Sequence, residues 1–214
     1  MIRHVIFDFD GTIANSRPLM TELYNGLAEK HGYRPIKDSD SGPFSGQSVR
    51  KRCKALGIPL YKLPLLALQV IFTYKRHIKT LEVKDGVREL ILELNGRGYT
   101  LSIISSNLEG NIRSFLEHNG IDQFTHIRSS RGLFGKHRAI HSFLKENKIA
   151  PREALYIGDE LRDIEAGRKS GIRIVGAGWG YDSFELMKRS SPDFMAGRPR
   201  EVFAAIDCFN AGTV

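Results

Sequence analysis

Cysteine is scarce in this 214-residue chain, because only Cys53 and Cys208 are present and they stand far apart. Neither a disulfide framework nor a zinc knuckle fits so few thiols at such spacing, and a reducing cytoplasm is the expected setting. Long apolar runs are also missing. The richest, Leu63 to Phe72, is interrupted by Pro64 and Gln69 and falls well short of the roughly 20 residues that cross a bilayer, so no membrane partner is expected. The N-terminal MIRHVIFDFDGT carries two aspartates within its first apolar stretch, which the apolar region of an export signal does not tolerate. Internal repeats and low-complexity tracts are absent. Acidic residues are the minority charge, 24 against 32 Lys plus Arg, which gives a net charge of +8. That excess favours anionic partners. Its clusters are short (Arg50 to Lys54, Lys75 to Lys79, Arg198 with Arg200), and a solvated basic face is preferred over a nucleic-acid surface.

What is present is the composition of a folded globular protein, 41% hydrophobic and 26% charged. Short β-branched or aromatic runs recur at His4 to Phe9, Thr100 to Ser105, Phe124 to Arg128, Ala154 to Ile157 and Arg173 to Val175. Helical stripes lie between them: Val87, Leu90, Ile91 and Leu94; Ile112, Phe115 and Leu116; Ile140, Phe143 and Leu144 within Lys136 to Asn147; and Leu161 to Ser170, closed by Gly171. Strand alternating with helix predicts an α/β fold with a parallel, Rossmann-like sheet. From Ser16 to about Lys84 the alternation stops, and three helical patterns follow. They carry Leu19, Leu23 and Leu27; Val49, Cys53 and Leu56; and Leu66, Val70, Tyr74 and Ile78. Residues 16–84 therefore read as an inserted helical domain, and residues 1–15 with 85–214 as the α/β core.

Ligands in open parallel sheets bind beyond the carboxyl ends of strands. The first strand runs into Asp8-Phe9-Asp10-Gly11-Thr12, with two carboxylates at alternate positions before a glycine turn. Close carboxylates repel, so they need a cation or a shared proton; an aspartate-rich turn is the plainer alternative. The second strand ends at Ser105-Ser106-Asn107, whose hydroxyl and amide groups suit phosphate oxygens or a helix cap. Lys136 opens a helix, where the local dipole disfavours a cation; a buried anion would explain it, as would an exposed position. Asp159, Glu160 and Asp163 follow the fourth strand, spaced to face one site or to serve as helix N-terminal charges. Acids at two strand ends fit a hard, oxygen-coordinated ion such as Mg²⁺.

The order DxDGT, Ser105, Lys136 and GDxxxD resembles the haloacid dehalogenase superfamily of phosphatases along the whole chain. Phe134-Gly135-Lys136, Tyr156-Ile157-Gly158-Asp159 and Trp179-Gly180-Tyr181 look closest to its phosphoglycolate phosphatase-like branch, which implies a helical cap over the core. The resemblance implies that Asp8 is the nucleophile that forms an aspartyl-phosphate. Asp10 would protonate the leaving oxygen and later activate water, while Ser105 and Lys136 hold the phosphoryl group with Ser106 and Asn107 beside them. It also implies Mg²⁺ on the Asp8 carboxylate, the Asp10 carbonyl and Asp159, with Asp163, or Glu160 in competition, ordering the shell. Ser105-Ser106-Asn107 departs from the frequent Thr-Asn, and His137 stands where proline is frequent. Asp10 itself argues against dehalogenation, which has no leaving oxygen to protonate. The loop Phe44 to Arg50 resembles the cap's specificity loop, with Gln47 and Arg50 as substrate contacts or Ser45 and Ser48 as ordinary helix caps. The expected activity is hydrolysis of a small phosphorylated metabolite by a monomer or homodimer, with a phosphosugar mutase of the β-phosphoglucomutase type and a nucleic-acid end phosphatase as alternatives.

Overall fold

The computed structural model describes residues 1–40, 46–47, 49–130 and 135–212, without the side chains of Asp38 and Val49. Six parallel strands form its sheet: β1 (His4–Phe7), β2 (Thr100–Ser105), β3 (Phe124–Ser129), β4 (Ala154–Gly158), β5 (Arg173–Ala177) and β6 (Phe194–Ala196). Their spatial order is β3-β2-β1-β4-β5-β6. The inner strands are apolar almost throughout, as a parallel sheet covered on both faces requires. Alternate residues divide between two cores. Val5, Phe7, Leu101, Ile103, Leu155 and Ile157 pack on one face, against α4 (Val87–Gly96), α5 (Glu109–His118) and α9 (Val202–Ala211). Ile6, Ile104, Tyr156 and Ile174 pack on the other, against α6 (Lys136–Glu146) and α7 (Leu161–Ser170), with Met187 of α8 (Phe184–Arg189).

Between β1 and α4 lie α1 (Arg17–His31), α2 (Val49–Leu56) and α3 (Leu63–His77), with short 3₁₀ turns around them. The chain leaves and re-enters the sheet region through two adjacent strands of backbone. Asn15 N donates to Glu82 O at 2.9 Å, and Lys84 N to Ile13 O at 2.8 Å. Leu19, Cys53, Leu56, Leu66, Tyr74 and Ile78 are buried, whereas Leu23, Leu27 and Val70 are half-buried. Among the described residues no single helix is long and apolar enough to cross a membrane.

The first strand is shorter than its sequence pattern predicts. It ends at Phe7 because Phe9 O accepts Ile13 N at 2.8 Å and Ala14 N at 3.0 Å, closing a turn that Gly11 completes at φ +80°. The sheet also has a sixth strand beyond the five predicted, a three-residue edge too short for alternation to reveal.

Candidate active site

In this strand order β1 is followed in space by β2 on one side and β4 on the other, so a crevice opens at the carboxyl ends of β1 and β4. Asp8 and Asp159 leave those two ends. Asp8 N donates to Ile157 O at 2.8 Å, so the backbone itself fixes the nucleophile candidate beside β4.

Lys136, the first residue of α6, is 3% exposed and donates from Nζ to Asp8 Oδ2 at 2.7 Å and to Asp163 Oδ1. The unfavourable position of a cation at this helix start is thus answered by two carboxylates. Burial alone would raise the Asp8 carboxyl, but the charges of Lys136 and Arg162 together with hydrogen bonds from Lys136 and the Phe9 amide outweigh it and hold Asp8 below the ordinary carboxylate range. Lys136 is pushed the opposite way: burial disfavours its charge, and Asp163 and Asp8 more than restore it. The second oxygen of Asp8, Oδ1, is buried without a hydrogen-bond partner among the described residues.

Asp10 is held by groups from two elements. Tyr74 of α3 donates its hydroxyl to Oδ1 at 2.6 Å, and Asn107 Nδ2 donates to Oδ2 at 2.8 Å. Burial raises the Asp10 carboxyl even so, and the proximity of Asp8 adds to the rise. Asn107 is itself positioned, because Asn111 Nδ2 donates to its Oδ1 at 3.0 Å and Ser129 Oγ to its carbonyl at 2.6 Å. Ser105 is buried at the end of β2, where its Oγ accepts Asn107 N at 3.3 Å, and Ser106 beside it is half-buried.

The acids after β4 divide their tasks. Asp163 Oδ2 accepts the backbone amides of Asp159 at 3.1 Å and Glu160 at 3.0 Å, so one oxygen caps the start of α7 while the other meets Lys136. Asp159 accepts Thr12 Oγ1 at 2.6 Å and Tyr181 N at 2.7 Å. Each carboxylate oxygen keeps a further lone pair, so these bonds orient Asp159 without removing its capacity to ligate. Glu160 pairs with Arg162. Burial, partly offset by Arg162, pushes Glu160 up to about 7. Burial together with the neighbouring acids raises Asp159 well above the usual range.

The residues present fit a divalent cation. Among the described residues Asp8, Asp159, Glu160 and Asp163 outnumber the cations they interact with, Lys136, Arg162 and Lys84, an excess of negative charge that raised carboxyls alone would otherwise have to absorb. Oxygens of Asp8, Glu160 and Asp163 lie within 4.8 Å of one another, and the unpartnered Asp8 Oδ1 is on the same side chain.

The cap-side candidates separate. Gly46 N donates to Asp182 Oδ1 at 2.9 Å, while Asp182 Oδ2 accepts Leu161 N at 2.9 Å, so this loop is tied to the turn that carries the acids. Gln47 follows it, half-buried, whereas Arg50 is exposed on the first turn of α2. Phe44, Ser45, Ser48 and Phe134 lie outside the described residues. Sequence reasoning passed over Thr12, Tyr74, Asn111, Arg162, Tyr181 and Asp182. Thr12 and Tyr181 stand inside quoted motifs, but Tyr74 has the spacing of a plain core residue and no local signal marks its hydroxyl.

A family model described as haloacid dehalogenase-like hydrolase matches residues 5–177. The chain is similar to a phosphoglycolate phosphatase of Synechococcus elongatus, 29% identical over 203 residues that cover 94% of this chain and 96% of that protein. It is also similar to the pyrophosphatase PpaX of Listeria monocytogenes serotype 4a, 26% identical over 210 residues and 96% of each chain. Among solved structures, a haloacid dehalogenase-like hydrolase from Streptococcus pneumoniae shares the fold with a TM-score of 0.83 at 23% identity, covering 96% of this chain and 98% of that one.

Proposed function

The chain belongs to the haloacid dehalogenase-like hydrolase family and is a phosphatase of it, and we propose that it hydrolyses monoesters of small phosphorylated metabolites with Asp8 as nucleophile. One observation carries this reading: Lys136 anchors Asp8 Oδ2 at 2.7 Å, which favours the charged carboxylate, and leaves Oδ1 without a hydrogen-bond partner among the described residues. In the first half-reaction Asp8 Oδ1 bonds to phosphorus, the ester P–O bond breaks, and Asp10 gives its proton to the departing alcohol oxygen. In the second, water attacks the phosphoryl group, Asp10 takes the water's proton, and the P–O bond to Asp8 breaks to restore the carboxylate.

The raised Asp10 carboxyl supports its acid role, because a proton is retained further up the pH scale than on an ordinary aspartate. Lys136, Ser105 and the backbone amides near it are the donors available to the phosphoryl oxygens. Mg²⁺, held by Asp8, the Asp10 carbonyl, Asp159 and Asp163 with Glu160 adjacent, would neutralise charge on the transferring phosphoryl group. Without such neutralisation a carboxylate and a phosphate dianion repel.

Residues 16–84 act in this reading as a cap that supplies Tyr74 to Asp10 and presents Gln47 near the site, with Arg50 as a more distant contact. Relatives named for phosphoglycolate and pyrophosphate point to a compact, strongly anionic substrate. The test is phosphate release from a panel of phosphorylated metabolites, with Asp8→Asn beside each positive. Release that falls to background in Asp8→Asn supports the assignment; release that persists removes Asp8 as nucleophile. An isomeric sugar phosphate in place of inorganic phosphate would identify a mutase.

A further inference from the structure

The charge of this protein is not spread over the molecule. Residues 16–84 hold 13 Lys and Arg against 5 Asp and Glu, which is the entire net charge of +8, while the remainder has 19 of each sign. Within that segment, residues 41–81 contain 8 Lys and Arg and no acid at all.

The same stretch gathers exposed apolar surface. Of the nine large hydrophobic side chains exposed among the described residues, six are Leu60, Tyr61, Leu65, Leu68, Ile71 and Phe72, with Tyr61 at 80% and Phe72 at 66% exposure. At helical spacing Leu65, Leu68 and Phe72 share one face of α3, and exposed Lys75, Arg76 and Lys79 continue it. Leu66 and Tyr74 lie on the opposite face and are buried, and Tyr74 reaches Asp10. The apolar face therefore looks away from the active site. Scattered surface hydrophobics need no explanation, but a contiguous set rimmed by charge of one sign does.

We propose that this outer face of α3 docks on an anionic lipid surface, with the leucines and Phe72 entering the headgroup boundary and the lysines reaching the phosphates. Apolar side chains beside flexible cations are the pattern of a helix lying in the plane of a membrane interface, and Lys stems extend toward the headgroups while their own methylenes stay apolar. Its neighbour α2 is bent away from the 60–80 segment by 107°, so the pair does not make one straight span. A second copy is disfavoured as occupant, since an isologous contact would set this stretch, with no acid between residues 41 and 81, against itself. The proposal goes against the expectation of no membrane partner, which rested on the shortness of the apolar run and addressed spanning alone. It does not depend on the hydrolytic reading.

The experiment is co-sedimentation of the whole protein with phosphatidylcholine vesicles, with and without phosphatidylglycerol, at low and high salt. Binding is expected only to the phosphatidylglycerol vesicles, weaker at high salt, and lost in Leu68→Asp/Phe72→Asp. Lys75→Glu/Lys79→Glu should weaken it by at least about 25-fold, at roughly five-fold for each cation removed. Both variants should keep wild-type phosphate release, which shows that they fold. No binding to phosphatidylglycerol vesicles, or binding that both variants retain, would overturn the proposal. So would binding to polyglutamate alone, which assigns the face to an acidic protein, or a dimer that Leu68→Asp/Phe72→Asp dissolves, which assigns it to a second copy.

Discussion

Asp10 shows how the site sets opposite demands on neighbouring carboxylates. Two residues earlier in the chain, Asp8 is held down by Lys136, while burial holds Asp10 up. Pairs driven apart in this way divide into nucleophile or base and acid. The Tyr74 hydroxyl works against the rise, because a donor to a carboxylate favours its charged form. The sign of a Tyr74→Phe change follows. In the proposed mechanism Asp10 must be protonated when the alcohol leaves, so turnover is expected to decline as pH rises through its elevated pKa; removing the donor raises that pKa further. The alkaline limb of the rate profile should therefore move to higher pH, while the folded state loses about 1.5 to 3 kcal/mol, the usual worth of a hydrogen bond to a charged group. A profile of kcat against pH checks this, and a limb that stays or moves down contradicts the role given to Tyr74.

At the scale of elements, glycines make room for the acids. A Cβ on Gly180 would lie 2.0 Å from Asp159 Cβ, and one on Gly158 would lie 2.5 Å from Asp163 Cβ. Gly180→Ala should cost about 1 to 3 kcal/mol by overpacking and raise the Mg²⁺ concentration needed for half-maximal phosphate release. Denaturant melts and a metal titration measure the two effects, and an unchanged metal requirement would show that Asp159 is not placed by this contact. The strands and the helices that close the sheet were legible because burial on one or both faces writes a period into the sequence, and β2 starts and stops where its pattern does. Asp8, Asp159 and Asp163 were legible because strand ends and helix starts have local signatures. Tyr74 and Asp182 were not, since their contacts join segments distant in sequence and nothing local distinguishes a tyrosine that fills space from one that also reaches a carboxylate; Arg162 pairs with Glu160 only two residues away, a spacing that an ordinary surface pair shares. Strand β6 escaped for a different reason, its three residues being too few to show alternation. Residue by residue the basic excess shows only as short clusters; its confinement to one segment emerges when charge is divided along the boundary that the linkers at residues 15 and 82–84 mark.

Across the whole molecule, a neutral α/β core carries the acids, and a helical segment with all the excess positive charge reaches it through Tyr74 at Asp10 and Gly46 at Asp182. The core acids repel one another when fully ionised, so a cation bound there should stabilise the fold as well as permit turnover. Saturating Mg²⁺ at 100 times its dissociation constant should add about 2.7 kcal/mol to unfolding stability, seen as a rise in Tm that a chelator reverses together with phosphate release. An unshifted Tm would mean that no such ion is held. The central claim is that phosphorus becomes bonded to Asp8. Acid quenching of the enzyme during turnover, followed by peptide mass spectrometry, tests it most directly. The account predicts one phosphoryl group on the peptide containing Asp8 and none in Asp8→Asn; a phosphoryl group found on another side chain during productive turnover would contradict it.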